Sequence, residues 1–164
     1  MIINFTKKDG TAETPTRGSK YSAGLDLYAH LDVDCVEIPA GTTVKIGTGI
    51  GLEIPEGFFG AVFARSGLAT KKGLRPANCV GVIDADYRGE VIVALHNDST
   101  ETVAVCNGDR IAQLVIIPYL NVELNEVDKL TDTVRGAGGF GSTGVSKNKE
   151  PEYEQLSLFD MIPQ

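Results

Sequence analysis

The chain has 164 residues, of which 42% are apolar and 23% charged, with a formal net charge of −7. These values predict one soluble globular domain with a hydrophobic core, and the negative charge argues against direct DNA binding through the phosphates. No apolar run approaches the roughly 20 residues that span a bilayer, and the N-terminus lacks a signal-peptide pattern, so no membrane association is expected.

Glycine and proline predict the fold class. Between Pro39 and Gly89 no interval without one of them exceeds seven residues, which leaves room only for a short helix, predicted at Ser66–Lys72. The other segments are predicted to be strands: 42–46, 50–54, 80–83, 90–96, 111–117 and 121–125. Segments 90–96 and 111–117 are nearly continuous apolar runs, and we expect them to be buried on both faces. The pattern predicts an all-β sandwich, barrel or jelly roll.

Composition also predicts the domain boundaries. Residues 1–130 are expected to form the β domain, 131–144 a mobile glycine-rich arm, and 145–164 a polar linker with an apolar end. The three cysteines, Cys35, Cys79 and Cys106, are odd in number and lack CxxC spacing. We therefore expect neither a disulfide framework nor a zinc site, but small buried side chains in a reducing cytoplasm.

Five short motifs follow one another along the chain. They are AGLDLYA at 23–29, RSGLATKKG at 65–73, GVIDADYRGE at 81–90, GDRIAQL at 108–114 and RGAGGFGSTG at 135–144. In this order and at this spacing they resemble the motifs of the trimeric dUTPase family. One departure is Ala64, where the second motif of the family usually begins with proline.

The third motif is predicted to be a β-hairpin, with 80–83 and 90–96 as arms and 84–89 as the turn. Its backbone N–H and C=O groups can read the edge of a base. The resemblance implies that this base is uracil, contacted at Gly81 and fixed by Asn78, and that Tyr87 packs under the sugar and leaves no room for a 2′-hydroxyl. It also selects Asp84 as the general base that deprotonates the attacking water, and leaves Asp86 as a turn residue.

The second and fourth motifs supply phosphate contacts. Arg65 can bind phosphate oxygens in bidentate fashion, Ser66 can donate its hydroxyl to the oxygen that bridges the α and β phosphates, and Gly67 lets the backbone approach. The resemblance adds the amide of Gln113, whose alternative is a structural hydrogen bond. Asp26 is expected to support the metal and phosphate region, or to make a structural hydrogen bond at the sheet edge. Asp109 and Arg110 can form a structural ion pair and receive no direct role.

The fifth motif resembles a phosphate-binding loop without the Gly-Lys-Ser/Thr ending of a Walker motif. Its glycines allow backbone N–H groups to converge on phosphates. Phe140 is expected to stack over the uracil as a lid. The other contacts are expected from Arg135, Gly141, Ser142 and Thr143.

The resemblance implies a jelly-roll-like subunit in a homotrimer that hydrolyses dUTP to dUMP and pyrophosphate at sites between subunits. Mg²⁺ would be held mainly by the triphosphate, with no direct protein ligand. Two alternatives are a dCTP deaminase, which shares the fold, and a phage-type regulatory module that uses the nucleotide site as a switch for a protein partner.

The apolar end of the chain resembles a further motif. Gln155, Leu156, Ser157, Leu158 and Phe159 are similar to the peptide by which bacterial replication and repair proteins bind the DNA polymerase sliding clamp. Leu158 and Phe159 would be adjacent apolar anchors, and Gln155 a hydrogen-bonding residue at the pocket rim. The alternative is a tail that packs on its own trimer. Together these features predict a protein of the cytoplasm of a bacterial or phage-infected cell.

Overall fold

The computed structural model describes residues 1–139. Ten strands and one helix follow in chain order: β1 Asn4–Lys7, β2 Leu25–Tyr28, β3 Cys35–Ile38, β4 Thr43–Glu53, β5 Phe58–Phe63, α1 Ser66–Lys72, β6 Leu74–Pro76, β7 Val80–Ile83, β8 Glu90–Asn97, β9 Val103–Cys106 and β10 Arg110–Pro118. The all-β prediction is confirmed, and the one predicted helix has the predicted bounds. No helix of residues 1–139 is long and apolar enough to cross a membrane.

The strands form three antiparallel sheets. One has the order β1-β4-β8-β6, the second β2-β10-β5-β7, and the third pairs β3 with β9. Side chains from all three contribute to one apolar core, which includes Leu27, Ile38, Ile46, Leu95 and Ile111, each at most 1% exposed. Burial of these side chains supplies the main driving force for folding.

The chain divides into two compact units, Met1–Val122 and Glu123–Gln164. All ten strands lie in the first unit. The described part of the second contains a turn in which the Gly136 and Gly138 N–H groups donate to the carbonyls of Thr133 and Arg135. The sequence-based division at residues 130 and 144 stays a prediction.

The fourth strand differs from its prediction in an instructive way. Segments 42–46 and 50–54 belong to one strand, β4, whose pairing with β8 is interrupted between Gly47 and Gly51. Within this bulge the Gly49 N–H donates to the Glu90 carboxylate at 2.7 Å, in place of a ladder hydrogen bond. The predicted burial of both faces of β8 is wrong for the single chain, because Ile92 on that strand is 50% exposed.

The predicted β7–β8 hairpin is wrong. β7 pairs with β5, whereas β8 pairs with β4 and β6, so the two strands belong to different sheets. Residues 84–89 therefore connect the sheets instead of closing a hairpin. Strand pairing depends on partners distant in sequence, and the local pattern of arm, turn and arm does not contain them.

Two further expectations are wrong. Segment 121–125 alternates in polarity but forms no strand within the described residues, and its Leu124 is 97% exposed. Cys35 and Cys106 are not reduced buried side chains; they are register partners at the ends of β3 and β9 and form a disulfide. The sequence hid this pair because 71 positions separate the two cysteines. Cys79 is free and exposed.

Candidate active site

One row of residues across the second sheet positions the predicted phosphate contacts. Asp26 on β2 is the register partner of Gln113 on β10, and Gln113 is the partner of Phe63, the last residue of β5. Arg65 lies two residues beyond Phe63 and is the N-cap of α1. Neighbouring strands are about 4.8 Å apart, so the sheet register brings residues from the first, second and fourth motifs together.

Side-chain hydrogen bonds fix this group. The Asp26 carboxylate accepts from Arg65 Nε at 2.8 Å and from Arg110 Nη1 at 3.2 Å, and its side chain is only 13% exposed. Two guanidinium groups thus share one carboxylate, which leaves a net positive charge at the surface of the site. Such a site attracts an anion, and guanidinium groups match phosphate oxygens in geometry.

Gln113 also orients the start of α1. Its Nε2 donates to the Ala64 carbonyl at 2.8 Å, immediately before Arg65. This contact uses the main-chain carbonyl of Ala64 and not its side chain. A Cβ at Gly24 would lie 2.7 Å from Gln113 Oε1, so the absence of a side chain at 24 gives the amide its space. The structural alternative for Gln113 therefore describes its contact here, and a phosphate contact stays a prediction.

These residues surround one small cavity of about 200 Å³. Its lining includes every predicted phosphate contact of the second and fourth motifs: Arg65, Ser66, Gly67 and Gln113, together with Asp26 and Arg110. Ser66 and Gly67 are exposed. The cavity is open to solvent, and polar groups from three motifs converge on it.

The predicted base contacts lie at a sheet edge. β7 is the last strand of its sheet within residues 1–139, and an edge strand presents unpaired N–H and C=O groups. Asn78 lies just before β7, with its Nδ2 atom 3.5 Å from the position of a Cβ at Gly81. Cys79 between them has a φ of 60°, a left-handed conformation that is uncommon for a residue with a side chain.

The connection from β7 to β8 carries the two candidate general bases. Asp84 follows β7 directly, and its carbonyl accepts from Tyr87 N at 3.2 Å. Arg88 Nη1 donates to the carbonyls of Ala85 and Tyr87 and tightens the turn. Asp84 and Asp86 are both exposed and both line an open cleft of about 1100 Å³. Geometry alone thus does not choose between them, and the assignment of Asp84 rests on the motif.

The predicted phosphate contacts and the predicted contacts to the nucleobase do not line one common cavity. Within the described part of the chain, the cavity around Asp26 contains none of Asn78, Asp84 and Tyr87. Arg135 belongs to the second unit, where its Nε donates to the Gly138 carbonyl at 2.9 Å. The other predicted contacts of the arm, Phe140, Gly141, Ser142 and Thr143, lie outside the described residues, as does the candidate clamp peptide 155–159.

The side chains that could bind a metal ion either accept hydrogen bonds from other residues or do not form a cluster. Residues 1–139 contain no group of three His, Cys, Asp or Glu side chains that could hold a metal ion. Both oxygens of Asp26 accept from arginines, so this carboxylate is not free to bind Mg²⁺ directly. The donor set fits an ion that takes most of its oxygen ligands from a bound triphosphate, as Mg²⁺ commonly does.

Sequence reasoning missed one member of the site. A structural ion pair between Asp109 and Arg110 was one reading of the fourth motif, but Arg110 pairs with Asp26, and Asp109 accepts from the Cys106 N–H at 2.9 Å. The β2–β10 pairing, which sets Arg110 opposite Tyr28, places its side chain beside Asp26. Only knowledge of that pairing would have found the contact, because the two residues are 84 positions apart.

Comparisons with known proteins agree on the family. The family model described as dUTPase matches residues 10–144. A deoxyuridine 5′-triphosphate nucleotidohydrolase of Desulfitobacterium hafniense is 50% identical over 145 residues, 88% of this chain and 95% of that protein. The enzyme of the same name from Anaplasma marginale is 47% identical over 130 residues, 79% of this chain and 88% of that protein.

Solved structures agree as well. A mutant dUTPase of Staphylococcus bacteriophage 80alpha with dUpNHpp has a TM-score of 0.78 and 28% identity, covering 88% of this chain and 99% of that one. A mutant dUTPase of phage phi11 of S. aureus, described with a structural Mg(II) ion, has a TM-score of 0.72 and 25% identity, covering 80% of this chain and all of that one. The jelly-roll prediction is thereby confirmed, and the chain belongs to the dUTPase family.

Proposed function

We propose that this chain hydrolyses dUTP to dUMP and pyrophosphate, which limits the incorporation of uracil into DNA and supplies dUMP. The observation that carries the proposal is the cavity in which Arg65 and Arg110 share the Asp26 carboxylate, within a chain that belongs to the dUTPase family. A pocket with a net positive charge suits a polyphosphate, and the family relation favours hydrolysis of dUTP over the deaminase alternative.

The base would be read at the free edge of β7. Backbone N–H and C=O groups there can pair with the edge of uracil, with Asn78 and Gly81 beside them. A rigid backbone edge rejects cytosine, because its exocyclic amino group offers a donor where uracil offers an acceptor. It rejects thymine by contact with the 5-methyl group.

Hydrolysis needs a water molecule that attacks the α-phosphorus. In our proposal Asp84 accepts its proton, the new bond joins the water oxygen to phosphorus, and the bond to the bridging oxygen breaks to release pyrophosphate. Arg65 and the Ser66 hydroxyl stabilise the charge that develops on the phosphate oxygens. Mg²⁺, when bound to the triphosphate, would neutralise part of that charge and hold the chain of phosphates in one conformation.

The separation of the phosphate contacts from the nucleobase contacts suggests that sites form between chains of a homotrimer. In the single chain, Ile92 on β8 and Val82 on β7 are 50% and 59% exposed. A neighbouring chain that covered such residues could bring its Arg65 cavity to this chain's Asp84. The arm with Arg135 and Phe140 would then close over the nucleotide.

The test is direct product analysis. The purified protein is incubated with dUTP, dCTP, dTTP or UTP and Mg²⁺, and the nucleotides are separated by chromatography. We expect dUMP and pyrophosphate from dUTP, with much slower conversion of the other three. Deamination of dCTP, or no preference for dUTP, would contradict the proposal.

A second function is proposed for the C-terminal peptide 155–159. Its sequence, QLSLF, suits binding to a bacterial sliding clamp, which would bring dUTP hydrolysis to the site of DNA synthesis in the cytoplasm of a bacterial or phage-infected cell. A trimer would carry three such peptides, so avidity could offset weak single contacts.

Calorimetric titration of a bacterial clamp tests this second function. We expect binding by the full chain and none by the Leu158→Ala, Phe159→Ala double variant, with equal dUTP hydrolysis by both proteins. Equal clamp binding by both, or none by either, would mean that the peptide has another role, such as packing on its own trimer.

Phage dUTPases of related structure are described as controlling the transfer of virulence genes. A comparable regulatory role for this chain stays a prediction.

A further inference from the structure

Tyr87 is held in an unusual position by its own turn. Its ring folds back over Gly89, so that a Cβ at position 89 would lie 2.5 Å from Tyr87 Cζ, 2.9 Å from Cε2 and closer still to the hydroxyl oxygen. No real Cβ atom tolerates such distances from a ring. The ring can therefore occupy this position only because residue 89 has no side chain.

The tip of the same ring is fixed by a hydrogen bond. The Tyr87 hydroxyl donates to the Glu90 carbonyl at 3.0 Å. Glu90 is itself anchored, because its carboxylate accepts from the Gly49 N–H at 2.7 Å and its backbone begins β8 opposite Gly51. The ring is thus attached to the sheet, although 43% of Tyr87 remains exposed on the other side.

A ring that is held in one position excludes any ligand that needs the space it occupies. The resemblance of the third motif implies that Tyr87 packs under the sugar of the nucleotide, and a sugar lying on the exposed face would meet a surface supported from behind by Gly89. A hydroxyl added to that sugar needs space that a mobile ring could provide and a supported ring cannot. Steric exclusion discriminates weakly between two sugars unless the excluding group is rigid. The selectivity therefore depends on how firmly Gly89 holds the Tyr87 ring.

We propose that Gly89 is a specificity-determining positioning residue, which selects 2′-deoxyribose over ribose by holding the Tyr87 ring in place. This inference rests on the proposed contact between Tyr87 and the sugar. A side chain at 89 would displace the ring and break its hydrogen bond to the Glu90 carbonyl. The displaced ring would fit deoxyribose less well and exclude ribose less strictly.

The experiment measures kcat/KM for dUTP and for UTP in the full chain and in Gly89→Ala. We expect the ratio of the two values, dUTP over UTP, to fall about tenfold or more in the variant. The matched control is Gly10→Ala, at an exposed position where a Cβ would meet no atom within 4 Å, and its ratio should equal that of the parent chain. An equal loss for both substrates in Gly89→Ala would show a structural role only and overturn the inference.

Two variants of Tyr87 separate the possible failures. Tyr87→Phe keeps the ring and loses the hydrogen bond to Glu90, so a partial fall in the ratio is expected, and this result decides the matter if Gly89→Ala does not fold. Tyr87→Ala should lower the ratio most. An unchanged ratio in Tyr87→Ala would contradict the proposed sugar contact itself. A lowered ratio in Tyr87→Ala with parent-like ratios in Gly89→Ala and Tyr87→Phe would contradict only the role of Gly89.

Discussion

The candidate site has two halves: the phosphate half around Asp26, and the base half, named for the nucleobase, at β7 and the turn to Glu90. The two halves are built by different means. Around Asp26, side chains from three motifs hold one another through ion pairs and hydrogen bonds, and the cavity exists in the single chain. Around β7 and the turn to Glu90, the backbone at a sheet edge would supply the recognition groups in our proposal, while Asp84 and Tyr87 remain exposed. The phosphate contacts of the second and fourth motifs are therefore brought together in the single chain, whereas the base half needs further parts to enclose it.

The largest expected effect concerns the base half. Asp84→Asn removes the proposed proton acceptor but keeps the shape of the side chain, so dUTP binding should be nearly unchanged while kcat falls by at least about 100-fold. Asp86→Asn is the matched control, because this residue is equally exposed in the same turn. Steady-state kinetics and calorimetric binding measure both. Near-native turnover in Asp84→Asn with loss in Asp86→Asn would reverse the assignment.

The second effect tests whether the base half depends on the arm. Truncation after Leu130 removes Arg135 and Phe140 but leaves all ten strands, which end at Pro118. We expect a folded trimer by sedimentation and circular dichroism, with activity reduced to roughly a few per cent because the nucleotide is no longer covered. Full activity would contradict a role of the arm in catalysis. Dissociation of the trimer would show that the arm has a structural role.

A third effect concerns the support of the phosphate half. The Cys35–Cys106 disulfide precedes the turn in which Asp109 accepts from the Cys106 N–H, and this turn leads to Arg110. Loop closure over 71 positions stabilises by about 4 kcal/mol in the chain-entropy model. Dithiothreitol should therefore lower the Tm of the parent chain and leave that of a Cys35→Ser, Cys106→Ser variant unchanged. Equal Tm values with and without reductant would show that the cysteines stay reduced, as in most cytoplasmic proteins.

The smallest effect concerns the turn after β1, where the Asp9 carboxylate contacts Thr11 and His30. Hydrogen bonds from the side chain and N–H of Thr11, with a further contribution from His30, lower the pKa of Asp9 to about 2. A carboxyl whose folded pKa lies below its unfolded value of 3.8 contributes stability above that value and loses it as the pH falls towards 2. The Tm difference between the parent chain and Asp9→Ala should therefore be present at pH 6 and shrink between pH 4 and pH 2. A difference that does not depend on pH would assign the contribution to packing.

The sequence predicted what local patterns determine. The helix Ser66–Lys72 and the strand Val80–Ile83 were predicted with their observed bounds, since turn residues enclose both segments. The motifs also predicted the cavity residues Arg65 and Gln113. What failed was pairing between distant segments: β7 joins β5 instead of β8, Arg110 joins Asp26, and Cys35 joins Cys106. These partners are set by the arrangement of whole sheets, which no short window of sequence contains.

The most direct test of the central claim is complementation between two inactive variants. If each site combines the base half of one chain with the phosphate half of another, Asp84→Asn and Arg65→Ala chains should restore each other when refolded together. A random trimer would then recover about a quarter of the parent activity, because each site needs one particular chain on either side. Separate refolding of each variant, followed by mixing without unfolding, is the control and should give none. Recovery in the mixed trimers is the predicted result, and its absence in trimers that native mass spectrometry shows to be mixed would mean that each chain carries a complete site of its own.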